Sequence, residues 1–247
     1  MKLENQNTSI IQHLEELRKR LIITLVVFLL FLILTFIYVQ DIYNIIVKDL
    51  PFKLAVLGPS DIIVVYLIIA SVVAISATIP VAAHQAWLFV GPALTLKERK
   101  VTSAYIPALF ILFILGISFG YFILLPLVLN FLMSLSNDMF TTFFTTEKYF
   151  RFLLQMTLPF GFLFEMPVVI MFLTSLGIIN PYRLQKIRKY SYFILIVISI
   201  LITPPDFISD ILVTIPLLVL YESSVSLSKF VYNRKEKKAK KEMFESV

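Results

Sequence analysis

The strongest constraint on this chain is a series of apolar runs separated by short polar breaks. Six segments, roughly 21–39, 62–83, 105–134, 150–176, 190–202 and 207–221, carry almost no charge. About 20 apolar residues in helical form cross a bilayer core of about 30 Å, so the pattern predicts an all-α polytopic membrane protein with six transmembrane helices. Composition closes the alternatives. Apolar residues are 59% and charged residues 15% of the chain, against about 45–50% and about 25% in a soluble domain. A soluble globule cannot hide that much apolar surface, and a disordered chain needs the opposite balance. With no cysteine, disulfides, thiol catalysis and Cys-ligated metals are excluded.

The runs are unequal. The fifth and sixth hold 13 and 15 residues, below the usual minimum of about 17. Thr203-Pro204-Pro205-Asp206 breaks the chain between them. They are expected to form a short hairpin that thins the bilayer or lies shielded by protein. The third run, 30 residues, extends about 45 Å as a helix, with a kink expected at Pro126. Long helices beside a short fifth and sixth predict a cupped bundle. The expected organisation is a six-helix domain over 1–222, including an amphipathic helix over 9–20, and a basic cytoplasmic tail over 223–247.

Orientation follows from the bases. Of the 22 Lys and Arg residues, 18 fall in the N-terminal, second, fourth and C-terminal polar segments, which puts both termini in the cytoplasm of a plasma or inner membrane. The tail run 233–241 reads as a solvated anchor that attracts anionic lipid. No aromatic residue accompanies it, so nucleic acid is not expected. The opening residues lack the apolar core of a cleaved leader.

Against this background a few polar residues stand out. Ser9 and Gln12 have capping-box form, and Ile10, Leu14, Leu17 and Leu21 recur on one helical face. That helix is expected to lie on the inner membrane surface before turning into the first span. Glu15 with Lys19 and Glu16 with Arg20 are i,i+4 pairs. The loop 87–100 carries Trp87, Phe89, a Gly91-Pro92 turn and Glu98. Glu98 is either a solvated acid or, facing Glu16, half of a carboxylate pair that takes two guanidinium groups, whose planar forks suit carboxylates. Glu165 lies about 15 residues into the fourth run, where an acid costs roughly 2.5–3.5 kcal/mol to insert. No base lies deep in any span, so Glu165 is protonated or reaches water. With Gly161 and Pro167 beside it, it describes either a docking notch for another helix or a hydrogen bond within the bundle. Gly116-x-x-x-Gly120 packs helices within the chain or between subunits. Asp206 and Asp210 suit the start of the last helix. Neither His13 nor His84 sits in a metal-ligand pattern, and no hydrolase or nucleotide motif occurs. No catalytic residue, metal or cofactor is expected.

These residues resemble a family. His13-Leu14-Glu15-Glu16-Leu17-Arg18-Lys19-Arg20 resembles the HLxELRxR opening of TatC, the multi-spanning core of the twin-arginine protein translocase. The loop from Trp87 to Lys100 and Phe160 to Pro167 (FGxxFExP) resemble further motifs, as do Thr203-Pro204-Pro205-Asp206, Pro216-Leu217-Leu218 and Tyr221-Glu222. The resemblance implies a receptor, not an enzyme, for folded precursors whose signal peptides carry an Arg-Arg pair. It implies Glu16, Arg18, Phe89 and Glu98 in signal-peptide binding, and Glu165 in docking single-span TatA/TatB-type partners. It also implies a functional outer hairpin of Pro204, Pro205 and Asp206, a homo-oligomer in the assembled complex, and export driven by the proton-motive force. Pro51 matches a structural proline of the first outer loop. Asp61 lacks the aromatic neighbour found in many relatives, and no role is assigned to it. Two other readings stay open on the residues alone: a small-solute transporter or channel with Glu165 as its ion site, and a passive membrane scaffold.

Overall fold

The computed structural model describes residues 2–48, 50, 52–90, 105–135, 143–203 and 206–245, without the side chains of 2–12, 90 and 238–245. Pro51, Glu98, Pro204 and Pro205 therefore lie outside the described residues. In chain order the helices are α1 (Lys2–Ile37), α2 (Val39–Val47), α3 (Pro59–Val90), α4 (Tyr105–Phe119), a π turn (Gly120–Leu124), α5 (Leu125–Leu135), α6 (Thr146–Phe164), α7 (Met166–Ser175), α8 (Pro181–Lys186), α9 (Arg188–Ile202) and α10 (Phe207–Glu245). The chain divides into two compact units, 1–110 with 145–150 and 111–144 with 151–247.

In the first unit, α1 is one unbroken helix. The expected cap at Ser9 and the expected turn into the first span are both absent, because nothing between Gln12 and Leu21 breaks a helix and Glu, Leu, Arg and Lys all favour one. Leu14, Leu17 and Leu21 form an outward stripe, 58%, 44% and 65% exposed, that continues into exposed Leu25, Leu29 and Ile33. The opposite face of α1 packs on α3. The start of α3 is tied by Asp61. Its buried carboxylate accepts from the backbone N–H of Gly58 (3.2 Å) and Leu57 (3.0 Å), the reach-back half of a capping box. Asp61 thus holds the turn that feeds α3. Nearby, the N–H of Thr146 donates to the Ala55 carbonyl at 2.9 Å, and Tyr43 stacks on buried Phe150 with centroids 5.4 Å apart.

The second unit is built around Phe160, fully buried among Leu124, Leu195, Val213, Leu217, Tyr221 and Val225. The expected kink at Pro126 takes the form of the π turn just before it, where the Leu125 N–H closes on the Gly120 carbonyl. Proline lacks a donor and crowds the preceding turn, and a wide turn absorbs that misfit. The GxxxG pair packs within the chain. A Cβ at Gly116 would lie 2.3 Å from the Phe160 carbonyl oxygen, and one at Gly120 would lie 2.5 Å from that of Met156. Gly161 faces the Phe113 ring in the same contact.

α7 stops at Gly177, whose φ of +78° suits the left-handed helix stop. α9 is short as expected, 15 residues or about 22 Å. The sixth helix is not short: α10 runs 39 residues. Its apolar part ends near Tyr221, but no Gly or Pro follows, and Lys- and Glu-rich sequence continues the helix. The supposed boundary at 222/223 therefore lies inside a helix. This stretch of α10 also packs on α7. Ser228 and Thr174 share a buried hydrogen bond of 2.7 Å, and Lys235 Nζ donates to the Ser175 carbonyl at 2.9 Å, closing the end of α7. Among the described residues, five apolar helical stretches have the length to cross a membrane: His13–Ile37, Pro59–Phe89, Tyr105–Leu135, Thr146–Ser175 and Phe207–Lys237. The short α9 completes a six-span count.

The α9–α10 pair is fastened at both ends. At one end Glu222 accepts from Arg188 NH2 (2.7 Å) and Tyr192 Oη (2.5 Å), and Tyr221 donates to the Leu184 carbonyl (2.9 Å). At the other, Ser199 donates to the Asp210 carbonyl (2.9 Å), Thr203 bonds the Asp210 carboxylate, and Asp206 caps α10 through the Ser209 N–H (2.6 Å). Glu222→Ala removes two of these bonds and leaves Arg188 unpaired. Because both charged groups are partly exposed, the expected loss is about 1 kcal/mol, read as a lower melting temperature in detergent. Tyr192→Phe should cost less, and an unchanged melting point in both variants would remove the staple role.

Candidate functional site

His13, Glu16 and Arg20 follow one another at spacings of three and four, so they share a helical face distinct from the Leu14, Leu17 and Leu21 stripe. On α3, Gln85 and Phe89 share a face by the same rule. The two helices bring these faces together. The Phe89 ring stacks on His13 with centroids 4.3 Å apart and planes 26° apart. Arg20 NH2 donates to Glu16 Oε1 at 2.7 Å, and Arg20 NH1 donates to Gln85 Oε1 at 3.2 Å. Arg20 Nε is buried with no hydrogen-bond partner among the described residues. The Glu16 side chain keeps 34% exposure and that of Arg20 24%. The arrangement is a partly exposed carboxylate held by an internal guanidinium, one helical turn from the His13–Phe89 stack. An acid in this setting can accept a charged donor from outside, provided it exchanges or shares its internal partner.

Of the expected site residues, Glu16 and Phe89 thus lie on the facing sides of α1 and α3, and His13, one turn before Glu16, is the residue that touches Phe89. Arg18 is not: it sits two positions from Glu16, roughly 200° round the helix, and is exposed. Glu98 lies outside the described residues. Trp87 and Phe89 belong to the last turns of α3, not to a loop, and Trp87 stacks on His84 at 5.6 Å. Sequence reasoning missed Gln85 and the linking role of Arg20. The i,i+4 spacing of Glu16 and Arg20 had signalled their pairing, while nothing local flags Gln85.

Glu165 sits where the fourth span breaks, between α6 and α7. Its N–H bonds the Phe162 carbonyl (3.1 Å) and its own carbonyl accepts from Val169 (3.0 Å). Its side chain caps nothing, and Oε1 is buried with no hydrogen-bond partner among the described residues. The space expected at Gly161 for a foreign helix is filled by this chain's Phe113, so the acid itself, half-buried, is what remains of the notch. Asp206 has one oxygen on the Ser209 N–H, and Oδ2 is buried without a partner among the described residues. Its proline neighbours lie outside them. No three His, Cys, Asp or Glu side chains converge as a metal site among the described residues.

The profile of the Sec-independent protein translocase protein family (TatC) matches residues 12–216. The chain is similar to the Sec-independent protein translocase protein TatCd of Bacillus subtilis (strain 168), 63% identical over 94% of this chain and 96% of that one. It is 45% identical to TatCy of the same organism, over 93% and 92%. It also superposes on the crystal structure of the twin-arginine translocase receptor TatC with a TM-score of 0.79 at 35% identity, covering 89% of this chain and 99% of that one.

Proposed function

The chain belongs to the TatC family of Sec-independent protein translocase proteins, and from that premise we propose that it is the receptor core of a twin-arginine export system. Glu16 and Glu98 take the two guanidinium groups of an Arg-Arg signal peptide, with Phe89 nearby, while Arg18, on another side of α1, acts from outside that cluster if it takes part in binding. Glu165 docks single-span TatA/TatB-type helices in an oligomeric complex, and the hairpin of Pro204, Pro205 and Asp206 acts on the outer side. The proton-motive force drives export of folded precursors. Both termini face the cytoplasm, which the 18 of 22 bases on one side support.

The observation that carries the reading is the cluster of α1 and α3: a partly exposed carboxylate at Glu16, one helical turn from the stacked rings of His13 and Phe89. It is a small surface suited to a planar cation, at the helix ends that the charge asymmetry assigns to the cytoplasm. The test is photo-cross-linking of an Arg-Arg signal peptide to the full chain in membranes. Glu16→Ala and Glu98→Ala should each weaken it. One lost charge-assisted pair is worth about 1.5–3 kcal/mol, or roughly 10- to 150-fold. An undiminished cross-link in the double variant would sink the recognition claim.

A further inference from the structure

We infer that Arg20 is a specificity-determining residue of this receptor site. It is an internal guanidinium that occupies Glu16 when no signal is bound, so that a ligand guanidinium exchanges with it more readily than a ligand ammonium. The inference rests on the reading of Glu16 as a signal-binding acid.

Glu16 is not a bare acid. Arg20 already donates to Glu16 Oε1 at 2.7 Å, within one helix. Its other terminal nitrogen holds Gln85 on α3 at 3.2 Å, and its Nε is buried without a partner among the described residues. Arg20 therefore has a second foothold. When Glu16 turns to an incoming cation, Arg20 keeps the Gln85 amide and is not stranded. Any cation reaching Glu16 must approach a carboxylate that is already neutralised, past a fixed positive charge. An ammonium offers a point charge, is strongly hydrated, and meets that repulsion with little to offset it. A guanidinium offers two parallel donors that can cover both carboxylate oxygens and take over Oε1. It also sheds water more easily and can lie on an aromatic face, here the Phe89 ring held by His13. Arg20 thus weakens binding of both cations, and of the ammonium more. Discrimination arises from what the site withholds as well as from what it offers.

The experiment measures dissociation constants of two synthetic signal peptides, one Arg-Arg and one Lys-Lys, for the full chain in nanodiscs. Arg20→Gln removes the charge but keeps a side chain able to meet Gln85. Lys-Lys binding should tighten about fivefold and Arg-Arg binding at most about twofold, so the ratio between them falls. Arg20→Lys, which keeps the charge without the fork, should shift the ratio in the same direction by less, and it carries the test if Arg20→Gln does not fold. A merely structural Arg20 would weaken both peptides alike. An unchanged or larger ratio, with Glu16→Ala weakening binding, overturns the inference and leaves the receptor reading standing. Unchanged binding in Glu16→Ala removes the receptor reading and this inference with it.

Discussion

Gly116→Leu should leave almost no folded chain. The glycine faces the backbone of α6, and even a Cβ would meet the Phe160 carbonyl oxygen at 2.3 Å and the Gly161 Cα at 2.8 Å. Neither is the end of a flexible side chain. To admit leucine, two helices must separate where Phe160, the centre of the second unit's core, is fully buried. Overpacking costs about 1–3 kcal/mol where neighbours can shift. Here the neighbour is a helix backbone and the core loses contact as well, so the loss should exceed about 3 kcal/mol, a large share of the stability of a typical domain. Folded yield in detergent and resistance to protease measure it. Gly120→Leu should behave similarly, since its Cβ would lie 2.5 Å from the Met156 carbonyl oxygen. Gly58→Ala is the control. Its Cβ would have nothing nearer than Ser60 Oγ at 3.6 Å, and near-normal yield is expected. Leucine variants that fold and assemble normally would disprove the intrachain role of the glycine pair.

The apolar pattern was legible because hydropathy is summed over many residues and tolerates errors in any one. That is why the spans were found, down to the short α9. Helix ends were not legible to the same degree, because they depend on single residues and on what lies beyond the apolar run. Ser9 looked like a cap, but α1 already extends back to Lys2, and a capping residue inside a helix is only a polar side chain. The last helix was cut at Tyr221, where hydropathy falls, although hydropathy does not stop a helix. Sequence beyond Tyr221 is helix-forming, and contacts such as Lys235 on the Ser175 carbonyl hold it in place. Trp87 and Phe89 were assigned to a loop for the same reason: apolar residues near a Gly-Pro turn can still be the last turn of a helix.

The site shows the same division. Glu16 and Glu165 were found because an acid on a basic face, or within an apolar run, is costly and so conspicuous. Arg20 and Gln85 are ordinary residues in ordinary places. Their link joins helices 65 positions apart, a pairing that needs the fold to be seen. Asp61, left without a role from sequence, is explained by two backbone donors three and four residues upstream. That signal is local: an acid three residues after a glycine at a helix start has the spacing of a capping contact.

Glu165→Ala should separate folding from function more sharply than any other substitution. In the free chain its carboxylate caps no helix, and Oε1 is buried without a partner among the described residues, so alanine removes no internal bond. A buried polar atom left unsatisfied costs stability, and the variant should accumulate at least as well as the parent. If Glu165 docks partner helices as proposed, the same change removes the acceptor that a partner's polar group uses at membrane depth. A hydrogen bond is worth about 0.5–1.5 kcal/mol net, so co-purification of a single-span partner should fall roughly 2- to 12-fold, and export of an Arg-Arg precursor with it. Glu165→Gln keeps a carbonyl acceptor of nearly the same shape. Partial rescue by glutamine would show that hydrogen bonding carries the contact, and no rescue would show that the acid itself is required. Normal assembly and export in the alanine variant would leave the unpartnered acid without a docking role. A chain that fails to fold would mean that Glu165 supports the break between α6 and α7 in a way its hydrogen bonds do not express.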